Sequence, residues 1–454
     1  MTAKRRLVRR IVFCLIFVIL AVFFVKHFDD KEYTADNEQA FINKVCAMSD
    51  MPELSIAIWD GDNEEFLNKH GADEHSLYEL ASTTKAFTGL AVLKLEKHGL
   101  IDFNDPVQKY IPEFQPTYNG KDAQVTIRHL LVHSSGIPFY MLERIPEEPY
   151  HKGGLADSLS FLNDVKLGFE PGSVYEYSTV NYDILALVIE RITGTGFEEY
   201  VKANIFDELG MTESFFRTDA IQPNMTHGHK QAFFFTYPYN APVYYGNTAA
   251  GYLISDTNDL MKWIKNVPEL FDFDEYPVTP ENNYFAGWNI YEDYVSHAGN
   301  NPNYSSQVYV SRNKPLGVFV LSSESGFSAT LIGEGIFRMR QGETFKIGWF
   351  FDLYDAIDVA FMLIPLLLLY VICLIPLESK KKAIIRMAIG CLIILAFILF
   401  PFVSPVGYRF CFVWYAGSIA FMIAVTALIA LYLVIRSVIY LKKRDQGGCH
   451  EEVV

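Results

Sequence analysis

The sequence predicts an α+β domain carried by four membrane helices. Three observations predict it. Strand-like runs stand at both ends of residues 35–345, helical patterns with long loops fill the middle, and four apolar stretches lie outside that region. Strands at both ends with helices inserted between them imply an antiparallel sheet assembled from both ends and flanked by helices. At 454 residues the chain has room for two or three domains. A mean hydropathy of +0.13 with 50% hydrophobic residues fits membrane segments beside a soluble part. The net charge of −15 argues against nucleic acid as a partner.

In chain order, residues 1–10 (MTAKRRLVRR) form a basic cytoplasmic N-terminus and 11–28 a transmembrane anchor. No small-x-small cleavage site follows the apolar run IVFCLIFVILAVFFV, so it reads as an uncleaved anchor rather than a signal peptide. Residues 35–345 form the extracytoplasmic domain. Three further spans are expected at 356–377, 387–403 and 410–435, each near the ~20 residues a bilayer crossing needs. Residues 436–454 form a cytoplasmic tail. Basic residues mark the inside ends: Lys4, Arg5, Arg6, Arg9 and Arg10, then Lys380, Lys381, Lys382 and Arg386, then Lys442, Lys443 and Arg444. Four crossings satisfy all three groups and leave 35–345 outside. Asp352, Asp355 and Asp358 share one face at the start of the second span, where a helix N-terminus favours acids. Of six cysteines, Cys46 alone falls within 35–345, so no disulfide forms inside that region.

Within the outer region, LSIAIWDGDNEEFLNKHG reads as a hairpin with a Gly-Asp-Asn turn. TIRHLLVHSSGIP and YDILALVIERITG are helical and end in glycine signals. YVSHAGN, SSQVYVSRN and PLGVFVLSSES return to strand patterns, and FSATLIGEGIFRMR (327–340) closes with a helix. The stretch ELASTTKAFTGL (79–90) sets Ser82 three residues before Lys85, on one face of an apolar helix. A buried ammonium needs hydrogen-bond partners or loses its proton, and Ser82 is one such partner. A helix-capping serine beside a snorkelling lysine would explain the pair equally well, so other motifs must decide.

Two do. They are PGSVYEYSTVNYDILALVIERITG (171–194) and SHAGNNPNYSS (296–306). With them the chain resembles the serine β-lactamase and penicillin-binding-protein superfamily, in its class C-like branch of esterases, D-aminopeptidases and related hydrolases. Ser82-Thr83-Thr84-Lys85 matches the S-x-x-K element. Tyr177-Ser178-Thr179 stands where class C relatives carry Tyr-x-Asn, and His297-Ala298-Gly299 fills the third element.

The resemblance implies a β-lactamase/transpeptidase-like fold and an acyl-enzyme mechanism. Ser82 is the expected nucleophile, and Lys85 and Tyr177 the base pair, either of which could take its proton. The Ser82 and Asn300 N–H groups are the expected oxyanion donors. Thr179, Gly299 and Asn300 would line the substrate, and His297 would line the third wall and orient the substrate or its carboxylate. Tyr175 and Tyr182 read as packing, His129 and His133 as structural. Thr179 departs from the family's asparagine and lacks the amide's second donor. Asn181 would replace that amide only with a backbone shift, which puts efficient β-lactam hydrolysis in doubt. No metal-ligand spacing and no nucleotide loop occurs, so no metal or cofactor is expected. The expected partners are a small-molecule or peptide substrate and the membrane. Candidate substrates are D-amino-acid peptides or esters of the envelope, secreted prodrugs and β-lactams. The layout also resembles prodrug-activating D-amino-acid peptidases with three membrane helices after a class C-like domain. A catalytically idle ligand-binding surface protein is the rival from another class.

Overall fold

The structure is a computed structural model that describes residues 3–147, 154–218, 220, 222–276, 278–279, 282–349 and 353–448. It divides into two compact units, one of residues 31–230 and 236–346, the other of 1–30, 231–235 and 347–454.

The first unit is built on a seven-stranded antiparallel sheet. Its strands are β1 (Leu54–Asp60), β2 (Asn63–Lys69), β3 (Tyr284–Phe285), β4 (Trp288–Ile290), β5 (Tyr294–Asn300), β6 (Ser305–Ser311) and β7 (Leu316–Ser322), in the spatial order β3-β4-β5-β6-β7-β1-β2. The N-terminal hairpin therefore joins the C-terminal strands through β7 and β1, with Leu316 opposite Asp60 and Ser322 opposite Leu54. The helices that matter here are α1 (Glu38–Ser49), α2 (Thr84–Lys97), α3 (Val180–Thr193), α4 (Thr248–Gly251), α5 (Thr257–Leu270) and α6 (Ser328–Arg340).

α5 and α6 cover opposite faces of the sheet. A side chain added at Gly317 would meet Ile264 of α5, whereas one at Gly333 of α6 would meet Gln307 and Tyr309. Residues 308, 310 and 317 share one face and 307, 309 and 318 the other. Covered on both faces, β6 and β7 are buried along their whole length, which is why their sequences lack a clean apolar–polar alternation. His297 and Gly299 pair with Val308 and Ser306, so they share the α5 side. α2 and α3 pack together on that side, and Phe87 of α2 stacks on Trp263 of α5 at 3.9 Å.

In the second unit, four helices among the described residues are long and apolar enough to cross a membrane: Arg6–Lys26, Leu353–Leu374, Lys380–Val403 and Ser418–Arg444. The last begins later than the hydropathy predicts. Tyr408–Trp414 forms a helix of its own, and Tyr415 takes an extended backbone that ends it before Gly417. The third begins earlier, because Ser379 caps the polar turn Lys380–Lys382.

Asp355 and Asp358 correct the sequence reading more sharply. They do more than favour a helix start. Asp355 pairs with His27 Nε2 at 2.8 Å and accepts from the Gln231 amide. Asp358 accepts the Phe233 and Phe234 N–H groups at 3.1 and 2.9 Å. Both acids are buried. Sequence spacing gave no sign of these partners, which come from residues more than a hundred positions away. Asp352 and the tail from 449 lie outside the described residues.

Candidate active site

The site begins with a strained turn. Ala81 has φ +48°, a left-handed conformation that costs a non-glycine residue of order 1–3 kcal/mol. It opens the 3-10 turn Ala81–Thr83 that leads into α2 and leaves Ser82 half-exposed. Side chains of the sheet tie the turn down. Ser306 and Thr83 hydroxyls both donate to the Leu80 carbonyl, at 2.6 and 2.8 Å, and lie 3.0 Å apart. β5 runs directly beside this turn. A Cβ at Gly299 would fall 2.3 Å from Ser306 Oγ and 2.4 Å from the Leu80 oxygen, so glycine is required there.

One turn on, Lys85 is fully buried. Its Nζ donates to Ser82 Oγ at 3.0 Å and to the Ala250 carbonyl of α4 at 2.8 Å. Burial lowers its pKa to about 7, against the upward pull of the Asp183 carboxyl. An appreciable fraction of the lysine is therefore neutral amine near neutral pH. The Lys85 ammonium lies 5.1 Å from the centre of the Tyr177 ring and 5.9 Å from that of Tyr182.

Tyr177 enters from the loop before α3. Burial raises its pKa, and the neighbouring Ser82 hydroxyl opposes that rise. Its hydroxyl closes no hydrogen bond among the described residues. Such contacts are often open without substrate and tighten in the complex. His133 holds the loop in place: its Nδ1 lies 3.3 Å from the Ser178 N–H and 3.1 Å from the Asn181 amide. The His133 ring sits between Tyr177, Tyr182 and Tyr284, with centroids 4.3, 5.3 and 4.6 Å away. Tyr182 is buried and donates to the Leu131 carbonyl, while Tyr175 is 40% exposed. His129 completes a capping box with Thr126.

Thr179 does not point at an empty place. Its hydroxyl donates to Asn247 Oδ1 at 3.2 Å, just ahead of α4. Asn181 turns away, accepting from Ser135 at 2.7 Å and meeting His133, so it does not take over the position of the family amide. Nothing in the sequence singled out Asn247. His297 is buried with both nitrogens engaged: Nδ1 lies 2.7 Å from the Ala298 carbonyl and Nε2 3.0 Å from the Tyr284 hydroxyl. Burial and the nearby Lys85 lower its pKa to about 3, so the ring is neutral. Asn300 ends β5, and its Oδ1 accepts the Gly326 N–H at 2.9 Å. The adjacent Asn301 ties β5 to α4 and to the Ser82 segment, donating to the Gly251 carbonyl and to Glu79.

The structure thus brings Ser82, Lys85, Tyr177, Thr179, His297 and Gly299 to one side of the sheet, while the Asn300 side chain, opposite Ser305, turns to the other face. A half-exposed serine hydroxyl bonded to a buried amine is the arrangement of a serine hydrolase. The chain belongs to the Beta-lactamase family, whose profile matches residues 39–336. Protein flp of Staphylococcus aureus is 32% identical over 274 residues, covering 54% of this chain and 52% of that protein. The chain therefore spans about half the length of the curated relatives it matches first. A penicillin-binding protein homologue from Pyrococcus abyssi has a similar fold, with TM-score 0.58 and 24% identity over 68% of this chain and 77% of that one. So has a D-stereospecific amidohydrolase from Streptomyces, with TM-score 0.55 and 20% identity over 67% and 98%.

Proposed function

We propose that the protein is a membrane-anchored, extracytoplasmic hydrolase that cleaves an ester or amide through an acyl-enzyme on Ser82. The substrate class we favour is a D-amino-acid-containing peptide, ester or envelope component. One observation carries the chemistry: the 3.0 Å bond between Ser82 Oγ and a buried Lys85 whose amine is freed near neutral pH. Lys85 takes the hydroxyl proton as Ser82 attacks the carbonyl carbon. The Ser82 and Asn300 N–H groups receive the oxyanion. Tyr177, kept protonated by burial, passes a proton to the leaving group. Water then enters and the same groups run in reverse to release the acid.

His297 serves as a neutral wall, since both nitrogens are engaged; recognition of a substrate carboxylate must come from elsewhere. The D-stereospecific amidohydrolase among the structural relatives supports the substrate class. The basic residues flanking the four apolar helices support the outside placement of residues 35–345.

The test is covalent labelling of the full-length protein in detergent with a fluorophosphonate and with a fluorescent penicillin. Wild type should label and Ser82→Ala should not, while remaining folded. Failure of wild type to label would leave an idle ligand-binding protein as the better description.

A further inference from the structure

Asp183 lies in the first turn of α3 with 0% of its surface exposed. An acid there ordinarily receives the free N–H groups of the helix start. Asp183 does not. Neither of its oxygens has a hydrogen-bond partner among the described residues, and a buried carboxylate so placed is costly unless an opposite charge answers it. The neighbouring residue, Tyr182, has its ring under the Lys85 ammonium, and α3 packs directly on α2. Burial pushes the Asp183 carboxyl well above the usual carboxylate range and the Lys85 ammonium opposes that rise, while Asp183 in turn pulls the lysine upward. The lysine spends two of its three donors on Ser82 and Ala250.

The other titratable groups around the pair cannot answer it. Tyr177 precedes α3, Tyr182 lies on it, and Tyr284 comes from β3; burial keeps all three protonated. His133, from the segment after residues 127–131, and His297, from β5, are kept neutral by burial. That leaves Asp183 as the counter-group.

We propose that Asp183 is a positioning residue for Lys85, the buried counter-group that acts on its amine through space and so sets the pH at which Ser82 can be activated. The pair exists as ammonium with carboxylate or as amine with carboxylic acid. Both forms have the same total charge, and they titrate as a unit. Sealed from solvent, Asp183 acts through Lys85 and does not touch substrate. The proposal rests on Ser82 being the nucleophile, and its test separates the two ideas.

The full-length protein in detergent is labelled with the fluorophosphonate across pH, wild type against Asp183→Asn. Asp183 raises the proton affinity of both Lys85 and Tyr177. Removing its charge should therefore move the acid limb of the labelling rate to lower pH by about one unit or more, whichever of the two takes the proton. A folded Asp183→Asn protein with an unmoved limb would overturn the proposal, since a merely structural role changes the rate without moving the limb. A thermal-melting cycle needs no activity. Asp183→Asn added to Lys85→Met should melt no lower than Lys85→Met alone, because the acid has already lost its partner. Additive losses, or a double variant that cannot fold, would overturn it. A wild type that fails to label defeats the nucleophile assignment instead, and the melting cycle still decides whether the pair exists.

Discussion

At the start of the helix Leu353–Leu374, Asp355 and Asp358 are buried and well supplied: a histidine, an amide and two backbone N–H groups meet their oxygens. At the start of α3, Asp183 is buried as deeply and neither oxygen is met among the described residues. Both are acids near a helix start, yet they serve different ends. A satisfied buried carboxylate orders the groups that satisfy it, here the segment 231–235. An unsatisfied one keeps its field for a charge nearby, here the lysine beside Ser82. Hydrogen-bond saturation therefore separates structural acids from acids that tune chemistry, where burial alone does not.

The largest change that would sharpen this contrast lies in the proposed catalytic pair. Tyr177→Phe removes a hydroxyl that closes no hydrogen bond among the described residues, so folding should be unaffected. Acylation and turnover should nevertheless fall by ~10²–10⁴-fold, with ligand affinity little changed. Lys85→Met should lose at least as much, and the double variant far less than the product, because groups acting as one unit are not additive. Stopped-flow acylation kinetics on the three variants check this. Full turnover in Tyr177→Phe would remove tyrosine from the proton path and leave Lys85 alone.

On the satisfied side the expected loss is one of stability. Asp358→Ala strips the acceptor from the Phe233 and Phe234 N–H groups. A fully buried donor left unpaired costs ~1–3 kcal/mol; these two are part-buried, so the melting temperature should drop by less than that full cost implies. The acid limb of labelling should stay where it is. A moved limb with unchanged melting would break the distinction drawn above.

The sequence pattern drew out Asp355 and Asp358 and passed over Asp183. Hydropathy pointed to the four apolar helices because it needs no tertiary partner, and the three motifs pointed to Ser82, Lys85 and Tyr177, which the fold gathers together, because the proposed chemistry fixes residue type at fixed spacing. The sheet was legible for a similar reason, since strands at both ends left few ways to close it. Tertiary polar contacts were not legible. Nothing near Asp355 in sequence points to His27 or Gln231. Asp183 did leave a trace: it is a lone acid in the apolar run VNYDILALVI, with Thr179 and Leu187 rather than a base four residues to either side. The left-handed Ala81 and the close fit at Gly299 depend on the sheet passing beside the turn, which local pattern cannot report.

The smallest effect expected concerns Thr179 and Asn247, and it asks whether the site has found another amide for the one its motif lacks. Threonine has a single hydroxyl, and here that hydroxyl is given to Asn247 Oδ1 at 3.2 Å. The bond fixes the orientation of the Asn247 amide beside α4, whose Ala250 carbonyl also holds Lys85. If the oriented amide meets the acyl side of the substrate, Asn247→Ala should weaken turnover by about threefold to tenfold, the worth of one hydrogen bond near 1 kcal/mol. Thr179→Val should lose a similar amount, because valine keeps the shape and removes the donor. Combining the two should add little, since each deletes one end of the same interaction. Melting curves should shift by less than for Asp358→Ala, as neither change strands a pair of part-buried backbone donors. Independent, multiplying losses would show instead that Thr179 and Asn247 touch the substrate separately, with their mutual bond incidental.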